Sequence, residues 1–186
     1  MKLQPLLFEA NPQAMAISKA RQTYTGHPDL GAVVDRDTWL TPRYILDQLG
    51  AFDLDPCAAD AVPQWAAARY LTKRDNGLVQ PWTGRVFMNP PFSDTAHWIE
   101  KHAEHRNGIS LLPAANDSNA WRKHVWAKAH AILLLHGRVR FCNPDGSATT
   151  GRPLRGVALV AWTPDDAAVL RATTLAGVLL QQWSRR

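Results

Sequence analysis

The stretch Val86-Phe87-Met88-Asn89-Pro90-Pro91-Phe92 decides how the rest of the sequence is interpreted. Its first three residues are apolar and typical of a buried strand. Asn-Pro-Pro then ends the strand, because two prolines fix φ and carry no N–H. We therefore expect a stiff loop in which Asn89 and Pro90 offer oxygen acceptors and Phe92 offers a flat ring, which are the groups that bind a nucleobase amine. Taken alone, the stretch leaves a plain proline-stiffened turn as the alternative.

Length and composition predict one compact cytoplasmic domain. The chain has 186 residues, of which 46% are hydrophobic and 20% charged, as in soluble globular proteins. It has no run of about 18 apolar residues that could span a bilayer, and its first residues break at Glu9 and Pro12, too early for a secretory signal. Its two cysteines, Cys57 and Cys142, make neither a disulfide framework nor a zinc site. No membrane association is therefore expected.

The charge is spread unevenly along the chain. Residues 1–60 carry five basic and eight acidic side chains, a net charge of −3, whereas residues 61–186 carry sixteen basic and eight acidic, a net charge of +8. A polyanion such as nucleic acid would bind the second part. The alternative is an ordinary solvated basic surface.

Strand and helix signals alternate from Thr38 onward. Residues 1–37 show no clear period and are predicted to form an N-terminal arm, and residues 38–186 a single domain. Strands are predicted at 51–55, 85–88, 109–113, 131–135, 138–141 and 156–162, and residues 65–70 as a short helix or strand. The pattern predicts an α/β domain of three layers with a largely parallel sheet. The strands 138–141 and 156–162 are expected to pair as its one antiparallel hairpin.

Four helices are predicted between the strands. They begin after Thr41 as N-cap, after Ser93, after 116–118 and after Thr163. In the second, Ala96, Ile99 and Ala103 are expected to share the buried face. The last is expected to be long, because Ala168, Ala172, Leu175, Leu179 and Trp183 form one stripe at helical spacing.

The order of the motifs resembles the S-adenosylmethionine-dependent amino-methyltransferases of DNA. More narrowly, the sequence resembles the phage DNA N6-adenine methyltransferase (Dam) family, over residues 38–162. The resemblance implies a Rossmann-like methyltransferase fold, an enzyme, and a phage or prophage setting in a bacterial host cell. The matching motifs are Thr41-Pro42, Leu54-Asp55-Pro56-Cys57-Ala58, Asp75-Asn76-Gly77-Leu78 with Trp82, Asn89-Pro90-Pro91-Phe92, Leu111-Leu112-Pro113 with Trp121, and Gly137-Arg138-Val139-Arg140-Phe141.

The resemblance also implies roles for individual residues. In the catalytic tetrad, Asn89 and the Pro90 carbonyl would accept from the N6 amine of an adenine flipped out of double-stranded DNA, and Phe92 would stack on it. Asp55 would face the methionine part of S-adenosylmethionine, Asp75 would meet its adenine amine, and the Thr41 segment would close over it. The candidate cofactor-binding residues are Thr41, Pro42, Asp55, Pro56, Cys57, Ala58, Asp75, Leu78 and Asn89; those of the tetrad are Asn89, Pro90, Pro91 and Phe92.

Departures from the family pattern keep other functions open. The loop after the first strand lacks the usual Gly-x-Gly, and only Asp60 stands where an acidic residue could hold the cofactor ribose. The alternatives are a methyltransferase acting on cytosine N4 or on a protein glutamine, and a DNA-binding relative without catalysis.

Two further groups of polar residues receive an interpretation. Arg138, Arg140, Arg152 and Arg155 surround the loop 142–155 and are the candidate DNA-binding residues, with a solvated hairpin as the alternative. His97, His102 and His105 lie together on one predicted helix without a carboxylate or cysteine at ligand spacing. They are interpreted as surface histidines, and no metal site is predicted.

Overall fold

A computed structural model describes residues 39–60, 65–149, 155–181 and 183. The predicted arm, residues 1–37, lies outside this part of the chain. None of the helices within it is long and apolar enough to cross a membrane. The strands are β1 Leu54–Asp55, β2 Arg69–Tyr70, β3 Val86–Met88, β4 Gly108–Pro113, β5 Ala131–Leu135, β6 Val157–Ala161 and β7 Gly177–Leu180. The helices are α1 Arg43–Leu46, α2 Thr95–His105, α3, which is π-helical over Trp121–Val125 and α-helical over Trp126–Lys128, and α4 Pro164–Ala172.

The seven strands form one mixed sheet in the order β2-β1-β3-β4-β6-β5-β7. The first four are parallel to one another. Strand β6 inserts antiparallel between β4 and β5, and β7 pairs antiparallel with the far side of β5. The prediction of an α/β domain is therefore confirmed, whereas the sheet, which was predicted to be largely parallel, is mixed and parallel only in its first part.

Helices cover both faces of the sheet, as the three-layer prediction requires. The alternation of side chains along β3 sends Phe87 to one face and Val86 and Met88 to the other. The Phe87 face packs against α1 and α4, and the opposite face against α2 and α3. Strands buried on both faces explain the continuous apolar runs in the sequence.

The predicted antiparallel hairpin is wrong. Residues 138–141 form no strand, and Val157–Ala161 pairs instead with β4 and β5. Val139 and Phe141 are buried while Arg138 and Arg140 are exposed. The alternation of apolar and polar residues that predicted a strand thus reflects a segment with one side packed against the core. Such a segment needs no hydrogen-bonded neighbouring strand.

The predicted long final helix is also wrong. Helix α4 ends at Ala172, and residues Gly177–Leu180 form the strand β7. Thr173 is extended, and Thr174 donates through its backbone N–H to Oε1 of Gln48 over 2.7 Å. The β-branched residues Thr173 and Thr174 and the nearby Gly177 disfavour continuation of the helix. The i, i+4 spacing of Leu175 and Leu179 therefore does not reflect a helix.

Two of the local predictions need correction. Thr41 is not the N-cap of α1, because Pro42 occupies that position and Thr41 is buried. Helix α2 begins after Asp94, and its buried face is wider than predicted: it holds Trp98, Ile99, His102 and Ala103, whereas Ala96 is exposed.

His102 is therefore not a surface residue. Its Nδ1 lies 2.7 Å from Oγ of Ser110, and that oxygen accepts from Nε1 of Trp162 over 2.8 Å. Its Nε2 lies 3.2 Å from the carbonyl oxygen of Asn107, so Nε2 carries the proton and Nδ1 accepts from Ser110. Burial lowers the pKa of His102 to about 3, and the ring is neutral inside the protein.

Candidate active site

The loops after β1 and β3 meet at one edge of the sheet. Strand β1 ends at Asp55, Asn89 follows β3 directly, and the two strands pair in parallel with Leu54 opposite Val86. From β1 the chain continues to β2 on one side and later returns to β3 on the other. This is the point at which the strand order reverses, where open α/β sheets bind ligands beyond the carboxyl ends of their strands.

A small cavity lies at this edge, with a volume of about 20 Å³. Five of the residues predicted from the sequence line it together: Thr41, Asp55, Cys57, Ala58 and Asn89. The rest of its wall comes from Trp39, Leu40, Ala59, Trp65 and Ala66. Nε1 of Trp65 donates to the carbonyl of Thr41 over 2.9 Å, which joins the two segments of that wall.

Asp55 is a buried acid in this cavity. Its Oδ1 accepts from the backbone N–H of Cys57 over 3.1 Å. None of the ion pairs within residues 39–60, 65–149, 155–181 and 183 includes Asp55. Burial raises the pKa of Asp55 to about 7, and the Cys57 hydrogen bond offsets this only in part. The site thus holds a carboxyl group that a bound cation would ionise.

The side chain of Asn89 is oriented by the backbone. Its Nδ2 donates to the carbonyl of Trp39 over 3.3 Å. Neither Oδ1 of Asn89 nor the carbonyl of Pro90 accepts a hydrogen bond from a residue that the structure describes. Two oxygen acceptors therefore remain for a ligand.

Cys57 belongs to the loop after β1 and lines the cavity together with Asn89. Its side chain is partly buried. Burial, followed by the nearby Asp55 carboxyl, raises the pKa of the thiol well above its usual range. A thiol with a raised pKa is protonated at neutral pH and is a poor nucleophile, which agrees with a space-filling role for Cys57.

The ring of Phe92 is at the surface and contacts a buried ring. Phe92 is 37% exposed, and its ring centroid lies 6.0 Å from that of Phe141 with the two planes at 84°. The carbonyl of Pro91 accepts from the backbone N–H of Asp94, and that of Phe92 from Oγ1 of Thr95. These bonds fold the end of the loop into the start of α2.

Comparison with known proteins decides the family. Residues 31–176 match the family model described as DNA N-6-adenine-methyltransferase (Dam). The chain belongs to the Dam family. It is also 33% identical to the DNA N-6-adenine-methyltransferase of Escherichia phage T1 over 133 residues, which are 67% of this chain and 53% of that protein. The chain thus spans about half the length of the curated relative that it matches. No solved structure matches it. The resemblance to the Dam family is confirmed.

Several residues that the Dam resemblance points to do not line the cavity. They are Pro42, Pro56, Asp75, Leu78, Pro90, Pro91 and Phe92. Asp75 is exposed, and its carboxylate accepts from the backbone N–H and the hydroxyl of Thr72, which lowers the pKa of Asp75. The turn that carries it still packs against the β1 loop, since a Cβ at Gly77 would lie 1.9 Å from the carbonyl oxygen of Pro56.

The candidate DNA-binding arginines are only partly described. Arg138, Arg140 and Arg155 are exposed, and Arg152 lies outside the described residues. Arg140 precedes Phe141, which places its backbone beside the residue that contacts Phe92. Their role in this Dam-family protein remains a prediction.

The sequence did not predict that Trp39, Leu40 and Trp65 line the cavity. Trp39 and Leu40 directly precede the Thr41-Pro42 motif, and Trp65 lies in the segment whose structure the sequence left open. The position of Trp39 and Leu40 next to this motif could have indicated that they line the site. No sequence signal indicated Trp65, because its contact with Thr41 spans 24 positions along the chain.

Proposed function

We propose that this protein transfers the methyl group of S-adenosylmethionine to the N6 amine of adenine in DNA. The observation that carries the proposal is that Asp55 and Asn89 line one cavity at the edge where the strand order reverses. Membership of the Dam family and the name of the phage T1 relative support the reaction.

The residues at the cavity fit the methyl donor. Asp55 is buried and has no cationic partner among the residues that the structure describes, so it suits the ammonium of the donor's methionine part. The small residues Cys57 and Ala58 allow close approach to the backbone, Thr41-Pro42 would cover the donor, and Asp75 would meet its adenine amine. When bound, the donor supplies an electrophilic methyl group. The parallel strands β2-β1-β3-β4 with helices on both faces support a Rossmann-like methyltransferase fold.

Admission of the donor requires the cavity wall to move. A space of about 20 Å³ holds about one water molecule and is far smaller than a nucleoside cofactor. Residues 39–41 and 65–66 line the cavity together with Asp55 and Asn89. We infer that residues 65–66 separate from the strand ends when the donor enters, while the Trp39 carbonyl keeps its hydrogen bond from Nδ2 of Asn89.

The loop 89–92 would hold the target base. Oδ1 of Asn89 and the carbonyl of Pro90 are free to accept the two protons of the N6 amine, which concentrates its lone pair on the nitrogen. The exposed ring of Phe92 would stack on the adenine. Extruding the base from the duplex costs a few kcal/mol. Stacking, together with phosphate contacts from arginines such as Arg138 and Arg140, would offset that cost.

The test is product analysis after reaction with duplex DNA. The protein is incubated with S-adenosylmethionine labelled in its methyl group, and the DNA is digested to nucleosides. We expect N6-methyladenine; N4-methylcytosine or labelled protein would assign the reaction to another planar amine or amide instead. Asn89→Ala should lower the rate at saturating donor by about 100-fold or more, with unchanged thermal unfolding.

A separate measurement excludes the non-catalytic alternative. Isothermal calorimetry with S-adenosylhomocysteine should show binding to the wild-type protein and weaker binding to Asp55→Asn. A folded protein that binds DNA but gives neither methylated nucleoside nor binding heat would contradict the proposed function.

A further inference from the structure

The segment Phe141-Cys142 has no role in the reaction described so far, although Phe141 ends the stretch 137–141 on which the resemblance partly rests. Phe141 is 6% exposed and belongs to the core on the Phe87 face of the sheet. Its ring contacts Phe92, which is 37% exposed, with near-perpendicular planes and centroids 6.0 Å apart. One side of the proposed base-stacking ring thus rests on a residue fixed in the core.

Cys142 is connected through Leu40 and Trp39 to Asn89, the other proposed base-binding residue. Cys142 and Leu40 exchange two backbone hydrogen bonds, from the N–H of Leu40 over 3.0 Å and from the N–H of Cys142 over 2.9 Å. Trp39 precedes Leu40, and its carbonyl accepts from Nδ2 of Asn89. An amide that donates through its nitrogen to the protein presents its oxygen to a ligand.

We propose that Phe141-Cys142 is a positioning segment that sets the Asn89 amide and the Phe92 ring relative to each other, and this inference rests on the proposed function. Phe141 acts on the ring directly, and Cys142 acts on the amide through Leu40 and Trp39. Amine capture and stacking must occur on the same adenine. A displacement of about 1 Å between the two groups can cost about 100-fold in rate.

The stiffness of the tetrad itself does not provide this alignment. Two prolines fix the backbone between Asn89 and Phe92, but they leave the side-chain torsions of both residues free. The Trp39 carbonyl fixes the amide torsion, and the Phe141 ring limits the Phe92 rotamers. Because these two constraints arise from neighbouring parts of one segment, they hold the amide and the ring in a common frame.

The test compares Phe141→Leu with a matched core variant, Phe52→Leu. Phe52 is 4% exposed, lies in the same core and contacts the ring of Phe87. Within the part of the chain that the structure describes, its ring does not contact another ring in the loop 89–92. Both substitutions remove a buried ring and should lower stability similarly. Phe141→Leu should reduce the methylation rate at saturating donor and DNA by about 10- to 100-fold, with the KM for S-adenosylmethionine within twofold of wild type. Phe52→Leu should keep the rate within about threefold.

A double-mutant cycle with Phe92→Leu separates positioning from general loss of packing. If Phe141 acts through Phe92, Phe141→Leu should cost little further rate once Phe92 is leucine. Phe141→Tyr, which keeps the ring, should retain most of the wild-type rate and serves as the folded variant if Phe141→Leu does not fold.

Three results would overturn the inference: equal rates for Phe141→Leu and Phe52→Leu, additive losses in the cycle, or a rate in Phe141→Tyr as low as in Phe92→Leu. Failure of the proposed function is distinguishable, because the wild-type protein itself would then give no N6-methyladenine.

Discussion

Asp55 ends one of two adjacent parallel strands, Asn89 follows the other, and the two residues line the same cavity. One brings a carboxyl group whose pKa burial raises to about 7, and the other brings a free amide oxygen. A ligand that carries a cation would meet the carboxyl group in this cavity. Ionisation of Asp55 and binding of that ligand are then linked.

We predict that the affinity for S-adenosylhomocysteine depends on pH through Asp55. The ligand's ammonium favours the ionised carboxylate, so binding below pH 7 must expel the Asp55 proton. The dissociation constant should fall about tenfold per pH unit up to about pH 7 and then level off. Calorimetry from pH 5.5 to 8, in buffers of different ionisation enthalpy, should show release of about one proton in the acidic range.

Asp55→Asn is the control for this pH dependence. The amide cannot ionise, so the variant should bind more weakly at pH 8 and show little change in affinity between pH 5.5 and 8. A wild-type affinity that is flat across this range would contradict the prediction.

The parts of the fold that the sequence predicted correctly depend on local signals. The strand ending in Asn89-Pro90-Pro91 and the helix starting at Thr163-Pro164 are each decided by residues within one or two positions. The errors at 138–141 and after Ala172 arose because periodicity was interpreted without knowledge of the neighbouring strands. Alternation does not reveal which strand a segment pairs with, and β6 pairs with strands that begin 26 and 49 positions before it.

Contacts across long stretches of chain had no signal in the sequence. Arg85 donates through Nε to Oδ1 of Asp166 over 2.8 Å, and Oδ2 of Asp166 accepts from the backbone N–H of Gly108. This pair joins β3, β4 and α4, which are far apart in sequence. The hydrogen bond between the Asn89 amide and the Trp39 carbonyl likewise joins distant parts of the sequence. The residue types of the site could therefore be predicted, but the contribution of Trp39, Leu40 and Trp65 to the cavity could not.

We predict that Ser110→Ala destabilises the protein. The hydroxyl of Ser110 links Nε1 of Trp162 to Nδ1 of His102 inside the protein. Its removal leaves one buried donor and one buried acceptor without partners, at a cost of about 1–3 kcal/mol each. Urea unfolding at pH 7.5 measures the loss. Ser147→Ala, at an exposed serine, should change the free energy of unfolding by less than about 0.5 kcal/mol.

We predict that Asp55 makes the free protein less stable as the pH rises from about 4 to about 7. The pKa of Asp55 is 3.8 before folding and about 7 in the folded protein, so the folded state binds more protons in this window. The unfolding free energy of Asp55→Asn minus that of wild type should therefore increase by up to about 1.4 kcal/mol per pH unit and level off above pH 7. A difference that is constant with pH would contradict the raised pKa.

His102 should have the opposite effect and should be clearest in the Asp55→Asn variant. Its pKa falls from 6.5 to about 3 on folding, so the unfolded chain binds the extra proton between these values. This part of the stability is present above about pH 6.5 and is lost as the pH falls towards 3. In the wild type the two residues oppose each other between about pH 4 and 6.5. Asp55→Asn should therefore lose stability more steeply than wild type on acidification, as measured by urea midpoints.

Lys101 is predicted to support cofactor binding by holding the turn beside Asp75. Its ammonium donates to the carbonyls of Gly77, Leu78 and Gln80 over 3.0, 2.6 and 2.6 Å, so all three of its donors are used. Lys101→Met keeps the aliphatic stem and removes all three bonds. If Asp75 meets the adenine of the donor, loosening this turn should weaken S-adenosylhomocysteine binding by about tenfold or more.

The matched control for Lys101 is Lys123→Met, at an exposed lysine of α3. It removes the same charge, so any general electrostatic effect on the anionic DNA should be common to both variants. Only Lys101→Met should raise the KM for S-adenosylmethionine, while the KM for DNA should change equally in the two. Lys101→Arg should fall between wild type and Lys101→Met, because a planar guanidinium cannot direct its donors at three carbonyls around one point. A folded Lys101→Met protein with wild-type cofactor affinity would show that this turn does not contribute to donor binding.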